Sequence, residues 1–159
     1  MVRSISMTTR RIRKGEADGR DYFFTSEANF KKKIKKNDFL EFAKVFGNYY
    51  GTPRKFVEKN LDQHKNVLLN IDVQGAMKIR KKFRKDSVFI FIRPPSMQEL
   101  KKRLFLRKTD TKMQIEKRLE IAKKELGYLK YYDYTVVNDD IKVAFRKLLS
   151  IVNKVGCSK

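Results

Sequence analysis

VLLNIDVQGAMKIRKKFRKDSVFIFI, residues 67 to 92, decides the fold class. Its opening, Val67-Leu68-Leu69-Asn70-Ile71-Asp72, is an apolar, branched run of strand length. From Gly75 to Phe83 the spacing of Ala76, Ile79 and Phe83 predicts a helix. Val88-Phe89-Ile90-Phe91-Ile92 then sets five apolar residues in a row. A strand without polar alternation is expected to be buried on both faces, as in parallel sheets whose crossover helices cover both sides. Strand, helix and strand in this order predict an α/β fold with a parallel sheet and helices on both faces.

Toward the C-terminus the alternation continues. Ser96 with Glu99 forms one capping box, opening a helix through about Leu106, and Thr111 with Gln114 forms a second, opening a helix to about Leu126. Tyr134 to Val137 reads as a further strand. Asp139 or Asp140 caps a final helix with an apolar stripe of Val143, Leu148, Ile151 and Val155.

Toward the N-terminus the pattern changes. Asp21 to Phe24, Phe39 to Phe46 and Tyr49 to Gly51 are short strand candidates, separated by a Ser26-capped helix and the turn-forming pair Gly47-Asn48. Thr52-Pro53 starts another helix, where the missing proline N–H costs little. Residues 9–63 therefore read as a small mixed lobe inserted at the carboxyl edge of the sheet, where α/β proteins place their ligands. Phe30, Phe39 and Phe42 are expected in its core, with Tyr49 as a packing residue. The chain of 159 residues reads as a single domain, 1–159, with 64–159 as the remainder of the core.

Hydrophobic residues make up 41% of the chain and aromatics 12%, enough to build a packed interior. No stretch approaches the roughly 18 apolar residues of a membrane span, and the N-terminus has no apolar signal region, so a membrane role is not expected. Cys157 is the only cysteine, which excludes an internal disulfide or a multi-cysteine metal site and fits a reducing cytoplasm. The net charge of +21 suits an anionic partner. Its lysines are spread along the chain in short runs such as Lys31-Lys32-Lys33, the pattern of a solvated helix face rather than of a nucleic-acid interface.

The segment Thr8-Thr9-Arg10-Arg11-Ile12-Arg13-Lys14-Gly15-Glu16, followed by Gly19-Arg20-Asp21-Tyr22, packs hydroxyls, arginines and glycines where there is little to bury. Arginine forks and a tyrosine hydroxyl suit an oxyanion, although a solvated basic loop has the same composition. The order of residues carries more. Thr-Thr-Arg-x-x-Arg-x-Gly-Glu-x-x-Gly-x-Asp-Tyr-x-Phe from Thr8 to Phe24 is followed by Phe39-Leu40-Glu41-Phe42-Ala43, then Gly47-Asn48-Tyr49-Tyr50-Gly51-Thr52 and Ile71-Asp72-Val73-Gln74-Gly75-Ala76. Pro94-Pro95-Ser96, Arg103-Leu104, Arg107, Arg118-Leu119 and Val137-Asn138-Asp139-Asp140 continue the series. Over essentially its whole length the chain resembles guanylate kinases.

That resemblance implies a P-loop-kinase-like fold and transfer of the γ-phosphoryl group of ATP to GMP, with Mg2+ accompanying ATP. Arg10, Arg13, Tyr22 and Tyr50 would hold the GMP phosphate, with Glu16 in the same set. Glu41 would accept from guanine N1–H and the N2 amine, Thr52 would donate to O6, and Ser6 and Asp72 would lie at the same base edge. A carboxylate opposite N1 selects guanine because adenine has no donor there. Arg107 and Arg118 would belong to a lid around 107–118 that closes over ATP phosphates and, with Arg10, would be catalytic; Arg103 and Asn138 would lie on the ATP side. No metal ligand is expected from this chain.

The resemblance also has gaps. No glycine of the chain begins a GxxxxGK[ST] loop, the element whose backbone amides and lysine cradle ATP phosphates. The first strand, phosphate loop and first helix of such a kinase are expected to be missing, with turnover lost or severely reduced and self-association through an incomplete sheet. Asn70 and Lys108 stand where the family usually has aspartate and glycine. A non-catalytic guanylate-kinase-like module that binds a protein partner is the alternative, although retention of Arg10, Arg13, Tyr22, Glu41 and Tyr50 speaks for GMP binding.

Overall fold

Strands and helices alternate along the computed structural model, which describes residues 1–106 and 111–156. They fall into two compact units, residues 1–85 and 86–159. The first unit holds β1 (Val2–Arg3), β2 (Met7–Thr8), β3 (Phe23–Phe24), α1 (Glu27–Lys35), β4 (Phe39–Val45), β5 (Asn48–Pro53), α2 (Arg54–Asp62), β6 (Val67–Leu68) and α3 (Val73–Phe83). The second holds β7 (Ile90–Arg93), α4 (Met97–Leu106), α5 (Lys112–Leu126), β8 (Tyr134–Val137) and α6 (Ile141–Gly156). This is the expected α/β class, with parallel pairing of β1 with β6 and of β7 with β8.

In the first unit a four-stranded mixed sheet runs in the order β3-β2-β5-β4. Side chains alternate across a strand, so its two faces carry different residues. On one face Phe30, fully buried on α1, stacks on Phe39 at 4.4 Å between ring centroids and on Tyr49 at 5.3 Å. Gly51 leaves room for these rings: a Cβ there would lie 2.8 Å from Phe39 Cδ1. The expected aromatic core of the lobe is therefore present, with Tyr49 in it. The other face carries Glu41, Tyr50 and Thr52, with Glu41 opposite Thr52 in the β4–β5 register. The lobe's sheet begins at Met7 in β2.

The β4–β5 turn falls one residue earlier than expected. Phe46 and Gly47 both have positive φ, 47° and 83°. Positive φ at both central positions is the mark of the type I′ turn, one of the two hairpin turns that match strand twist. Asn48 consequently begins β5 instead of forming the turn.

Helix ends follow their caps. Ser26 and Thr111 cap α1 and α5, the latter with a complete capping box. Of the expected box at Ser96 only half is present: Ser96 Oγ accepts from Glu99 N at 3.1 Å, while the Glu99 carboxylate turns to Arg103. Asp140, not Asp139, caps α6 through Val143 N. α3 starts at Val73, two residues before the expected Gly75, because Asp72 Oδ1 accepts from Gly75 N at 2.8 Å.

Strands depart further from expectation. The run from Val67 to Asp72 is a strand only at Val67–Leu68, where β1 pairs with it. β7 begins at Ile90, where its register with β8 begins, and it is not buried on both faces: Ile92 is 54% exposed. On α6 the buried residue is Ala144, whereas Val143 is 41% exposed.

Candidate functional site

The geometry of the first unit concentrates chemistry at two places. Glu41 and Thr52 face each other across the β4–β5 ladder, Glu41 6% exposed and Thr52 fully buried, and Thr52 Oγ1 donates to Glu41 Oε1 at 2.7 Å. Burial is the main reason that the Glu41 carboxyl titrates above its ordinary range; the Thr52 hydrogen bond opposes this, nearby Asp72 reinforces it and Lys78 opposes it. Glu41 Oε2 lies against Gly75 in the first turn of α3, close to the Asp72 carboxylate that caps the helix. Lys78, one turn further along α3, donates to Phe42 O and lies 4.8 Å from the Phe42 ring centroid. A buried acceptor with one occupied oxygen can read a pair of donors on a planar ligand.

The second place lies around the loop after β2. Thr8 Oγ1 donates to Tyr49 O at 2.9 Å and Thr9 Oγ1 accepts from Tyr49 N at 2.9 Å, which extends the β2–β5 pairing into the loop. Arg10 Nη2 then donates to Glu16 Oε1 at 2.7 Å, and Glu16 Oε2 accepts from Arg13 N at 2.8 Å. Gly15, at φ 88°, supplies the left-handed residue that the turn from Arg13 to Glu16 needs. The Arg10 guanidinium lies 5.4 Å from the Tyr22 ring centroid, and Tyr22 meets Tyr50 edge to face at 5.9 Å. The Glu16 hydrogen bond, reinforced by Tyr50, raises the Arg10 pKa further, and the same contact holds the Glu16 carboxyl below the usual range.

Arg10, Glu16, Tyr22 and Tyr50 are thus gathered as one cluster, and Glu41, Thr52 and Asp72 as another. Ser6 lies immediately before β2, where its carbonyl accepts from Phe23 N. The Arg13 side chain is exposed. In the second unit Arg103 is engaged internally: Nε donates to Glu99 Oε1 at 2.8 Å, Nη1 to Asn138 O at 2.7 Å and Nη2 to Asp139 O at 3.1 Å. Arg118 is half-buried on α5, and Arg107 lies outside the described residues. Sequence reasoning missed what Gly75 and Lys78 do around Glu41. A glycine inside a helix is costly, and that was the one available signal.

The described residues include no group of three or more His, Cys, Asp or Glu side chains that could hold a metal ion. None of the described helices is long and apolar enough to cross a membrane.

An α/β frame whose small lobe gathers a buried carboxylate–hydroxyl pair and an arginine–tyrosine cluster fits the class of nucleotide-binding kinases. Comparison with known proteins specifies it. The guanylate kinase family model matches residues 1–155, and the chain belongs to the guanylate kinase family. It is 49% identical to the guanylate kinase of Caldanaerobacter subterraneus subsp. tengcongensis, over 97% of this chain and 74% of that protein. It is also 49% identical to the guanylate kinase of Wolbachia pipientis wMel, over 100% of this chain and 79% of that protein. The crystal structure of guanylate kinase from Anaplasma phagocytophilum superposes with a TM-score of 0.82 at 39% identity, covering 99% of this chain and 77% of that one.

Proposed function

We propose that this chain binds GMP as the acceptor in ATP-dependent phosphoryl transfer to GMP, in one guanylate-kinase-like domain whose residues 9–63 form the acceptor lobe. The observation that carries the proposal is the buried Glu41 carboxylate, with Oε1 held by Thr52 and Oε2 directed toward α3. An ionised carboxylate in a site of low polarity is costly unless it meets donors, and guanine N1–H with its N2 amine supplies two. Thr52 donates to O6 once the base enters, while Ser6 and Asp72 border the base. Arg10, Arg13, Tyr22 and Tyr50 take the phosphate, with Glu16 orienting Arg10. Pre-positioning of this kind is what phosphoryl transfer asks of a protein.

On the ATP side, Arg103 acts through the loop of Asn138 and Asp139, which it fixes, and Arg107 and Arg118 are proposed as lid arginines. ATP enters with Mg2+, and the described residues include no group of three or more side chains that could hold such an ion by themselves. The proposed setting is the cytoplasm, with free nucleotides rather than nucleic acid as partners. Because the 159 residues contain no GxxxxGK[ST] loop, a polypeptide of this sequence is expected to bind GMP without forming GDP at a useful rate. Calorimetric titration with GMP, AMP as control, and an ATP-dependent GDP assay on the same sample test this. Selective GMP binding is the expected result; a folded sample that ignores GMP, or prefers AMP, would overturn the acceptor-site proposal.

A further inference from the structure

Gly75 lies in the first turn of α3, and an ideal Cβ built on it falls 2.6 Å from Glu41 Oε2, 3.0 Å from Glu41 Cδ and 3.1 Å from Asp72 Oδ1. Atoms do not approach so closely, so something would have to move. An exposed glutamate would swing aside at little cost. Glu41 has little freedom to do so: it is 6% exposed, its Oε1 accepts from Thr52 at 2.7 Å, and its backbone is fixed opposite Thr52 in the β4–β5 ladder. The helix cannot easily retreat either. Gly75 N is bound to the Asp72 cap, and Lys78 ties α3 to β4 through the Phe42 carbonyl and ring. Glycine destabilises a helix relative to alanine, and here the carboxylate bars the alternative.

We infer that Gly75 is a positioning residue, whose missing side chain seats the Glu41 carboxylate in the orientation that selects a base bearing both N1–H and an N2 amine. The inference rests on the GMP reading above. Any Cβ at position 75 pushes Oε2 away from α3, which breaks the Thr52–Glu41 hydrogen bond or turns the carboxylate plane off the base edge. The cluster of Arg10, Tyr22 and Tyr50 shares β5 with Thr52 through Tyr50, but the atoms nearest a Cβ at position 75 belong to Glu41 and Asp72, so the cluster is left alone.

The test is calorimetric titration of the parent chain and Gly75→Ala with three ligands: GMP, inosine 5′-monophosphate, which lacks the N2 amine, and ribose 5-phosphate, which has no base. The expected result for Gly75→Ala is about a tenfold to hundredfold loss for GMP, the scale of lost hydrogen bonds to a charged group. Preference for GMP over inosine monophosphate should collapse, with ribose 5-phosphate affinity unchanged. Adding Glu41→Asp, which shortens the carboxylate arm by one methylene, should restore part of the preference. An unchanged GMP preference would overturn the inference, and so would an equal loss for all three ligands.

A melting pair covers the case in which Gly75→Ala folds poorly. The substitution should lower the melting temperature in the parent but leave it unchanged or raise it in a Glu41→Ala background. Equal lowering in both backgrounds would remove Glu41 as the cause and overturn the inference. A parent chain that binds none of the nucleotides would sink the GMP reading instead, and the melting pair then decides alone whether Gly75 seats the carboxylate.

Discussion

At Glu41 the proposed reading of GMP sets stability and binding against each other. Burial raises its pKa above that of the unfolded chain, so the ionised form carries a folding penalty that is full above the folded pKa and absent below the unfolded one. Glu41→Gln removes this penalty and keeps an acceptor for Thr52. The variant is expected to melt higher at neutral pH, by about 2–4 °C for each kcal/mol relieved, while losing about tenfold or more in GMP affinity because an amide N–H2 opposes the guanine donors. Scanning calorimetry and titration on the same preparation check both halves, and a variant that is less stable or binds GMP as before would refute the assignment. GMP affinity in the parent should fall as pH drops through the raised Glu41 pKa, and the Glu41→Gln profile should lack that limb while retaining the titration of the phosphate itself. Glu16 has the opposite sign. Its pKa is lowered chiefly by Arg10, so its stabilising contribution is present above the unfolded carboxylate pKa and is lost as pH falls through the folded value. Residue order alone singled out Glu41, Thr52, Arg10 and Tyr50, and the fold brings Glu41 to Thr52 and Arg10 to Tyr22 and Tyr50. The roles of Gly75 and Lys78 were not legible, because they depend on how closely α3 approaches β4, a distance that no local pattern encodes.

Among the elements, helices were read well and strands poorly, for a physical reason. A helix closes its own hydrogen bonds and announces its ends through residues such as Ser26, Thr111 and Asp140, so local sequence nearly fixes its bounds. A strand extends only as far as its partner. The apolar run from Val67 is a strand for two residues because its partner β1 offers two, and β7 starts where β8 can pair with it. Arg103 shows the same limit: its arginine was legible, but its two contacts across the β8–α6 junction depend on tertiary pairing. Arg103→Ala is expected to destabilise the protein by about 2–3 kcal/mol, since the Asn138 and Asp139 carbonyls lose a charged donor. Lysine should not restore this loss, because a single ammonium cannot span both carbonyls and Glu99 as the planar fork does. Thermal melting with amide exchange at the start of α6 is the check; a variant of unchanged stability would make Arg103 a residue held for ligand alone.

For the molecule as a whole, the α/β class was legible in residues 67 to 92, but the separation into units 1–85 and 86–159 was not, since it reflects which strands find partners. Each unit contains a two-stranded parallel ladder, β1–β6 in one and β7–β8 in the other. Two-stranded ladders are marginal by themselves, and unpaired edges recruit other chains. Apolar side chains are exposed as well: Ile92 on β7 is 54% exposed, and Ile141, Phe145 and Leu149, spaced four residues apart on one face of α6, are 69%, 61% and 45% exposed. Against association stands a net charge of +21, which makes like copies repel. The two effects respond differently to salt. Raising ionic strength from 0.1 M to 1 M shortens the screening length from about 10 Å to about 3 Å, which weakens the repulsion and leaves apolar burial intact. A polypeptide of these 159 residues is therefore expected to self-associate, and to do so more strongly at high salt in sedimentation velocity at fixed protein concentration. Species that disperse as salt rises would instead assign the contacts to charge. A monodisperse monomer at both salt levels with a single cooperative melt would show that neither the ladders nor the α6 face needs a partner, and would remove self-association from the account of this chain.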